Sequence, residues 1–319
     1  MLHEIARRSH ALRPLWAFVR LGRFQFLAGG FVLYGLGAVV ALHDRPLDIR
    51  AYAWGQAAIT ATQLMTHYAN DYFDLAADRA NTTPTRWSGG SRVLADGTLA
   101  PHVALRAACV LAAVALVLDA VVACVVAPRA LTLAVLLAAL VVAWSYSAPP
   151  LRLHTRGLGA PSVALVVSVL TPLAGFLVQG GSRIEALLVA VTPLAFATAA
   201  MILVIDFPDA EGDRAAGKRT PVVRLGPRFT ARLAASLVIG AYASGALSLC
   251  AGWAGSAGFP REVLYAQGVT IPLGLVLVRR LLRGDGEAPS AWEGLTRTGV
   301  AWLAALAAFE LAAWVRFGR

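Results

Sequence analysis

The sequence predicts an all-α fold: a polytopic membrane protein of nine transmembrane helices, arranged as two four-helix repeats plus one helix. Three observations carry this expectation. The 319 residues are 58% hydrophobic and only 14% charged, with a mean hydropathy of +0.66, and a soluble domain of this length needs far more charge to cover its surface. Nine segments have the roughly 20 mostly apolar residues that cross a hydrocarbon core. One acidic pattern occurs twice, after the second and the sixth of those segments, four spans apart.

The segments run at about 24–42, 51–70, 101–127, 130–146, 160–179, 186–205, 231–251, 263–282 and 296–315. Gly35, Gly37, Pro172, Gly175, Pro193, Gly240 and Pro272 fall inside them. Membrane helices tolerate such residues because neighbouring helices and hydroxyl side chains re-satisfy the freed backbone groups. Ahead of the first span, residues 1–23 carry Arg7, Arg8, Arg13, Arg20 and Arg23, with Leu12, Trp16 and Val19 at helical spacing. This suits a short helix on the membrane surface rather than a cleavable signal. Cys109, Cys124 and Cys250 lie in apolar runs without paired spacing, so neither a disulfide framework nor a zinc site is expected. The chain, 1–319, reads as one domain.

The net charge of +10 raises the question of nucleic acid. The basic residues sit between apolar runs and form no basic and aromatic patch, so no nucleic-acid partner is expected. Seven of the 28, Arg45, Arg50, Arg129, Arg183, Arg261, Arg316 and Arg319, lie on one side of the predicted membrane. The others gather in the N-terminal segment and in the loops near 71–100, 147–159, 206–230 and 283–295. The positive-inside rule makes that side cytoplasmic. The expected location is the cell (inner) membrane, with the N-terminus and the acid-rich loops 70–100 and 206–230 inside.

The first acidic stretch reads Asn70-Asp71-Tyr72-Phe73-Asp74-Leu75-Ala76-Ala77-Asp78-Arg79. The second contains Asp206, Asp209, Asp213 and Arg214, each member 135 positions after its counterpart. Spacings of three and four residues put three carboxylates on one face of a helix, about 5–6 Å apart. Like charges so placed repel one another, and helix capping does not account for two matched copies. A divalent cation does. Magnesium takes carboxylate oxygens and binds through one or two of them together with substrate phosphates. Two facing clusters, Asp71, Asp74 and Asp78 with Asp206, Asp209 and Asp213, would clamp magnesium ions around a diphosphate.

Basic residues complete the constellation. Arg79 and Arg214 end the two copies, and Lys218 and Arg219 follow the second. Each could neutralise diphosphate oxygens, or simply mark a cytoplasmic loop. Lys218 is the only lysine in the chain, which favours a role for its ammonium group.

These residues resemble the UbiA superfamily of membrane prenyltransferases over nearly the whole chain. The resemblance rests on the nine spans, on Asn70-Asp71-x-x-Asp74-x-x-x-Asp78 and Asp209-x-x-x-Asp213, and on Tyr146-Ser147-Ala148-Pro149-Pro150-Leu151-Arg152-Leu153. Within it, Gly217-Lys218-Arg219-Thr220-Pro221-Val222-Val223-Arg224-Leu225-Gly226 and Gly89-Gly90-Ser91-Arg92-Val93-Leu94 are most similar to the 1,4-dihydroxy-2-naphthoate polyprenyltransferases of menaquinone biosynthesis. Ala160 stands where that branch has an acidic residue, and Asp206 where it often has Asn. The resemblance implies a bundle around a central cavity, with an apolar tunnel open to lipid for the isoprenoid tail. It also implies magnesium-dependent transfer of a polyprenyl group from its diphosphate to an aromatic acceptor.

In that chemistry Asp74, Asp78, Asp209 and Asp213 hold magnesium against the leaving diphosphate, and an electron-rich ring attacks the allylic cation. Asn70 orients the first cluster or binds metal-coordinated oxygen. Tyr146 either shields the cation with its ring face or is an interfacial anchor. Arg152 either holds an acceptor carboxylate or marks a loop. His67 is either a general base or a satisfied helix histidine, and Arg23 and Gln25 open the first span where they could line the acceptor pocket. A transporter would place its ionisable groups at mid-depth rather than at one face. A membrane terpene cyclase would keep both clusters and need no acceptor.

Overall fold

The computed structural model describes residues 13–42, 46–127, 129–250 and 260–317. Arg7, Arg8, Leu12, Arg45 and Arg319 lie outside them. Among the described residues the chain is helical, with no strand. A helical stretch over 13–21 precedes α1 (Phe24–Ala41), α2 (Ile49–Phe73), α3 (Leu75–Ala80) and α4 (Pro101–Val121). Next come α5 (Ala130–Ser147), α6 (Gly159–Leu165), α7 (Thr171–Val178), α8 (Ile184–Ile205) and α9 (Ala210–Ala215). The chain ends with α10 (Pro221–Leu225), α11 (Pro227–Cys250), α12 (Arg261–Val269), α13 (Ile271–Leu282) and α14 (Pro289–Phe317).

Seven helical stretches are long and apolar enough to cross a membrane, and an eighth is added if α12 and α13, bent by 47° at Thr270, count as one. The expected count was nine. The difference is α2, which at 25 residues is long enough but too polar. It carries Thr62, Gln63, Thr66, His67 and Asn70 on a face that lines an internal cavity, so its polarity points inward and not at lipid.

Burial of apolar area gives little drive between helices that are already in lipid, so close backbone approach matters more. Helix α1 packs on α7, and any side chain at Gly37 would collide with the backbone of Pro172, as one at Gly175 would with that of Tyr34. Between α6 and α7 the helix widens into a π-turn, Val166–Leu170, ahead of Pro172, which lacks a backbone donor. Thr171 Oγ1 donates to the Val166 carbonyl at 2.9 Å, beside the Thr171 N–H that closes the π-turn on the same carbonyl. On the face opposite the acidic loops Asp48 caps α2, accepting from Ala51 N–H at 2.9 Å, and Gln179 brackets the Asp48 backbone at 2.9 and 3.1 Å. One core gathers α1, α7, α8, α11 and α14 around Trp302 and Trp314. A second joins the 13–21 stretch to α2 and α4.

Candidate active site

Both acidic stretches sit where a long helix stops and a short one starts. Helix α2 ends at Phe73 and Asp74 is the break, with φ −93° and ψ 2°. In the second copy Asp206 ends α8 and Asp209 opens α9. The carboxylates therefore do not share the face of one continuous helix, as their spacing predicts, because each helix breaks inside the motif. The break aims the later carboxylates into the bundle. The short helices α3 and α9 then meet closely, since a Cβ on Gly212 would strike the Ala77 carbonyl.

A polar chamber of about 70 Å³ lies between them, lined by Asn70, Asp74, Asp78, Asn81, Tyr146, His154, Asp206, Asp209, Asp213 and Lys218. Asp71 does not line it. Its carboxylate is buried beneath the following loop and accepts from both the N–H and the hydroxyl of Ser91. Arg79, Arg152, Arg214 and Arg219 are exposed and outside the chamber, since each directs its side chain away from the cleft between α3 and α9. The structure thus brings together Asn70, Asp74, Asp78, Tyr146, Asp206, Asp209, Asp213 and Lys218, and leaves the four arginines at the surface.

Lys218 is buried at the centre, its Nζ 3.1 Å from Asp74 Oδ2 and 2.9 Å from Asp213 Oδ1. Its position follows from local geometry. Helix α9 closes with Gly217 at φ +73°, a left-handed conformation that glycine adopts without strain. Gly217 N–H bonds the Arg214 carbonyl at 3.1 Å and Lys218 N–H the Asp213 carbonyl at 2.9 Å. Arg219 N–H bonds the Thr155 carbonyl at 2.7 Å, tying this turn to the loop that carries His154.

Sequence reasoning missed His154, Asn81 and Ser147. His154 follows directly on the quoted Tyr146–Leu153 stretch. Its ring stacks on Tyr146 at 5.0 Å and 6°, with Nδ1 3.6 Å from Asp74 and Nε2 3.8 Å from Asp206. Asn81, three residues beyond Asp78, donates to Asp209 Oδ1 at 2.7 Å and so links the two copies. Asn70 donates to Asp74 Oδ2 at 2.6 Å and to Ser147 Oγ at 3.0 Å. A polar residue at a regular interval past the last aspartate was the available signal for Asn81.

The electrostatics follow from burial and crowding. Burial, with Asp74, Asp71 and Asp209 nearby, pushes the Asp78 carboxyl up to about 8. Burial and the neighbouring Asp213 and Asp206 push Asp209 up to about 7. At Asp74 burial acts upward too, but Lys218 and His154 outweigh it and hold the carboxyl below its usual range. Burial and Lys218 oppose protonation of His154, yet Asp206 and Asp74 raise it to about 10. The chamber thus sets five carboxylates against Lys218, His154 and Arg23 and pushes Asp78 and Asp209 toward the protonated form, a crowding that a divalent cation relieves.

The donors are carboxylate and amide oxygens, the hard ligands that suit magnesium. Asp213 Oδ2 is buried without a hydrogen-bond partner among the described residues, and a Cβ at Gly90 would land on Asp78 Oδ2, so the glycine-rich loop closes directly over that carboxylate. Among the described residues no three acidic or histidine side chains form a ready-made cage. Lys218 occupies the middle of the cluster instead, and a metal here would complete its shell with substrate oxygens.

Below the chamber lies a second, mostly apolar cavity of about 490 Å³. Arg23, Asn70, Trp87, Tyr146 and Ile205 line both. Gln25 lines the apolar one, as does His67, whose Nδ1 lies 2.7 Å from the Gly22 carbonyl. A charged, oxygen-rich chamber opening into an apolar pocket matches a ligand with an anionic head and a hydrocarbon tail.

The model of the UbiA prenyltransferase family matches residues 30–297. The chain belongs to this family. The chain is 28% identical over 269 residues to a homogentisate geranylgeranyltransferase of Hordeum vulgare, across 77% of the chain and 60% of that relative. It is 30% identical over 104 residues to a 2-carboxy-1,4-naphthoquinone phytyltransferase of Synechocystis sp., across 33% of the chain and 34% of that relative. The matches thus span less than two thirds of either relative. The fold is similar to that of a solved digeranylgeranylglyceryl phosphate synthase, with a TM-score of 0.67 at 15% identity over 95% of this chain and 99% of that one. A UbiA homologue from Archaeoglobus fulgidus bound to DMAPP and Mg2+ gives 0.63 at 17% identity, over 94% and 99%. The chain's seven or eight helices long and apolar enough to cross a membrane, among the described residues, fit a multi-pass member of the UbiA prenyltransferase family.

Proposed function

We propose that this prenyltransferase transfers a polyprenyl group from its diphosphate to an aromatic acceptor in a magnesium-dependent reaction, and that the acceptor is 1,4-dihydroxy-2-naphthoate in menaquinone biosynthesis. The observation that carries the reading is the junction of the two cavities. Tyr146 lines both cavities, so a diphosphate held in the carboxylate chamber would send its chain past that ring into the apolar one. The names of the two sequence relatives both contain a carboxylated or quinonoid ring system, which supports an aromatic acceptor, and the Archaeoglobus fulgidus homologue was solved with a prenyl diphosphate and magnesium.

Asp74, Asp78, Asp206, Asp209, Asp213 and Asn70 would hold the metal, which supplies Lewis-acid stabilisation of the departing diphosphate. Lys218 adds a fixed positive charge that needs no reorganisation during reaction. The C1–O bond breaks, the pair of electrons leaves on diphosphate, and an allylic cation remains. The Tyr146 ring, held in place by its stack on His154, faces that cation. Ring carbon attacks and a proton leaves that carbon to restore aromaticity; the naphthoate then loses its carboxyl group as carbon dioxide, and a proton from solvent takes its place on the ring. Arg23, which lines both cavities, is the cation available to an acceptor carboxylate. The exposed Arg79, Arg152, Arg214 and Arg219 add positive charge to the surface, a field that would favour the approach of an anionic substrate.

This reading includes nine spans, with α2 and the bent α12–α13 pair each counted once, one domain, and the carboxylate face on the cytoplasmic side of the cell membrane. The test is incubation of purified protein with magnesium, isoprenoid diphosphates of several lengths and candidate acceptors, read by mass spectrometry. A hydrocarbon product formed without acceptor would instead identify a terpene cyclase and end the transferase reading.

A further inference from the structure

We propose that the crevice between the start of α11 and the end of α13 binds the phosphate headgroup of an anionic phospholipid. Its volume is about 280 Å³, and Arg228, Arg232, Leu281, Leu282, Arg283 and Glu287 line it. It shares no lining residue with the carboxylate chamber. Three arginines face one glutamate here. Glu287 accepts both bonds from Arg228 Nε, at 2.9 and 3.1 Å. Arg232 and Arg283 remain, both exposed, and neither forms an ion pair among the described residues. Arg228 and Arg232 stand one turn apart on one face of α11, and the positive end of that 24-residue helix adds to their field.

The apolar surroundings select the ligand. Phe229 and Leu233 on α11, and Leu275 and Leu282 on α13, are exposed at 52%, 37%, 62% and 61%. On helices that cross a membrane, such side chains face acyl chains. A molecule joining a phosphate to acyl chains therefore uses both features, and basic pockets between membrane helices take such headgroups by charge and by bidentate arginine contact. One wall is the turn Gly284–Glu287, and Gly286 packs against Phe207, between Asp206 and Asp209. An occupied crevice braces the turn on which the second carboxylate stretch rests.

The test is thermal unfolding of the detergent-purified full chain with phosphatidylglycerol, phosphatidylcholine or inorganic phosphate added. Wild type is compared with Arg232→Gln/Arg283→Gln and with Arg13→Gln/Arg106→Gln, two exposed arginines away from the crevice. Phosphatidylglycerol should raise the wild-type midpoint, because a ligand of the folded state stabilises it. Phosphatidylcholine and phosphate should not. The crevice variant should lose at least half of the shift and the control variant should keep it. Equal shifts in wild type and crevice variant, an equal loss in the control, or a full shift from phosphate alone would each overturn the proposal.

Discussion

The ammonium of Lys218 bridges Asp74 and Asp213, at 3.1 and 2.9 Å, and so joins one carboxylate from each acidic stretch through a single buried cation. Replacing it by Met takes the bridging cation from two buried carboxylates and leaves Asp74 only His154 and Asn70, at a cost of about 3–5 kcal/mol. Lys218→Met should therefore lower the unfolding midpoint in detergent and reduce diphosphate release at least ~100-fold, the scale of losing one transition-state charge contact. Lys218→Arg should not restore turnover, since a planar fork does not fit the point between two carboxylates that an ammonium fills.

The metal assignment makes a sharper demand. Asp74→Ala and Asp209→Ala should abolish diphosphate release while the protein stays folded in detergent, and chelation of magnesium should do the same to wild type until the ion is restored. Wild-type turnover in either variant, measured by release of inorganic diphosphate, would rule out the metal clamp.

Tyr146 stacks on His154, and its ring is the functional feature if it faces a cation. Tyr146→Phe should keep most activity, whereas Tyr146→Leu should lose about 30-fold, the equivalent of about 2 kcal/mol for a desolvated cation–π contact. Equal losses in both variants would point to the hydroxyl and not to the ring.

Gly90 sits at φ +69° and a Cβ there would overlap Asp78 Oδ2. Gly90→Ala combines left-handed strain of about 1–2 kcal/mol with displacement of Asp78. The expected result is a folded enzyme that needs several-fold more magnesium for half-maximal rate, read from a magnesium titration of turnover.

Gly29 lines the apolar cavity, and a Cβ there meets nothing within 4 Å. Gly29→Phe should fill that space without disturbing the fold. Competition between short and long prenyl diphosphates should then shift toward the short one, as read by the mass of the product.

The sequence by itself determined the membrane class, the helical fold and the pairing of two matched aspartate stretches. These depend on composition, on length of apolar run and on local spacing, all of which are properties of adjacent residues. It also marked Lys218 as unusual. Tertiary structure decided which charges meet. The helix breaks at Asp74 and at Asp206–Asp209 turned the later carboxylates toward the chamber, a change of direction that spacing does not encode. Asp71, still inside α2, meets Ser91. The backbone bond from Arg219 to Thr155 placed Lys218 beside His154, a residue 64 positions earlier in the chain. Arg79 and Arg214 follow their aspartates in sequence yet point outward, because one step along a helix rotates a side chain by about 100°. The polar face of α2 had the same origin, since its glutamine, threonine and histidine side chains line a cavity that exists only once the other helices close around it.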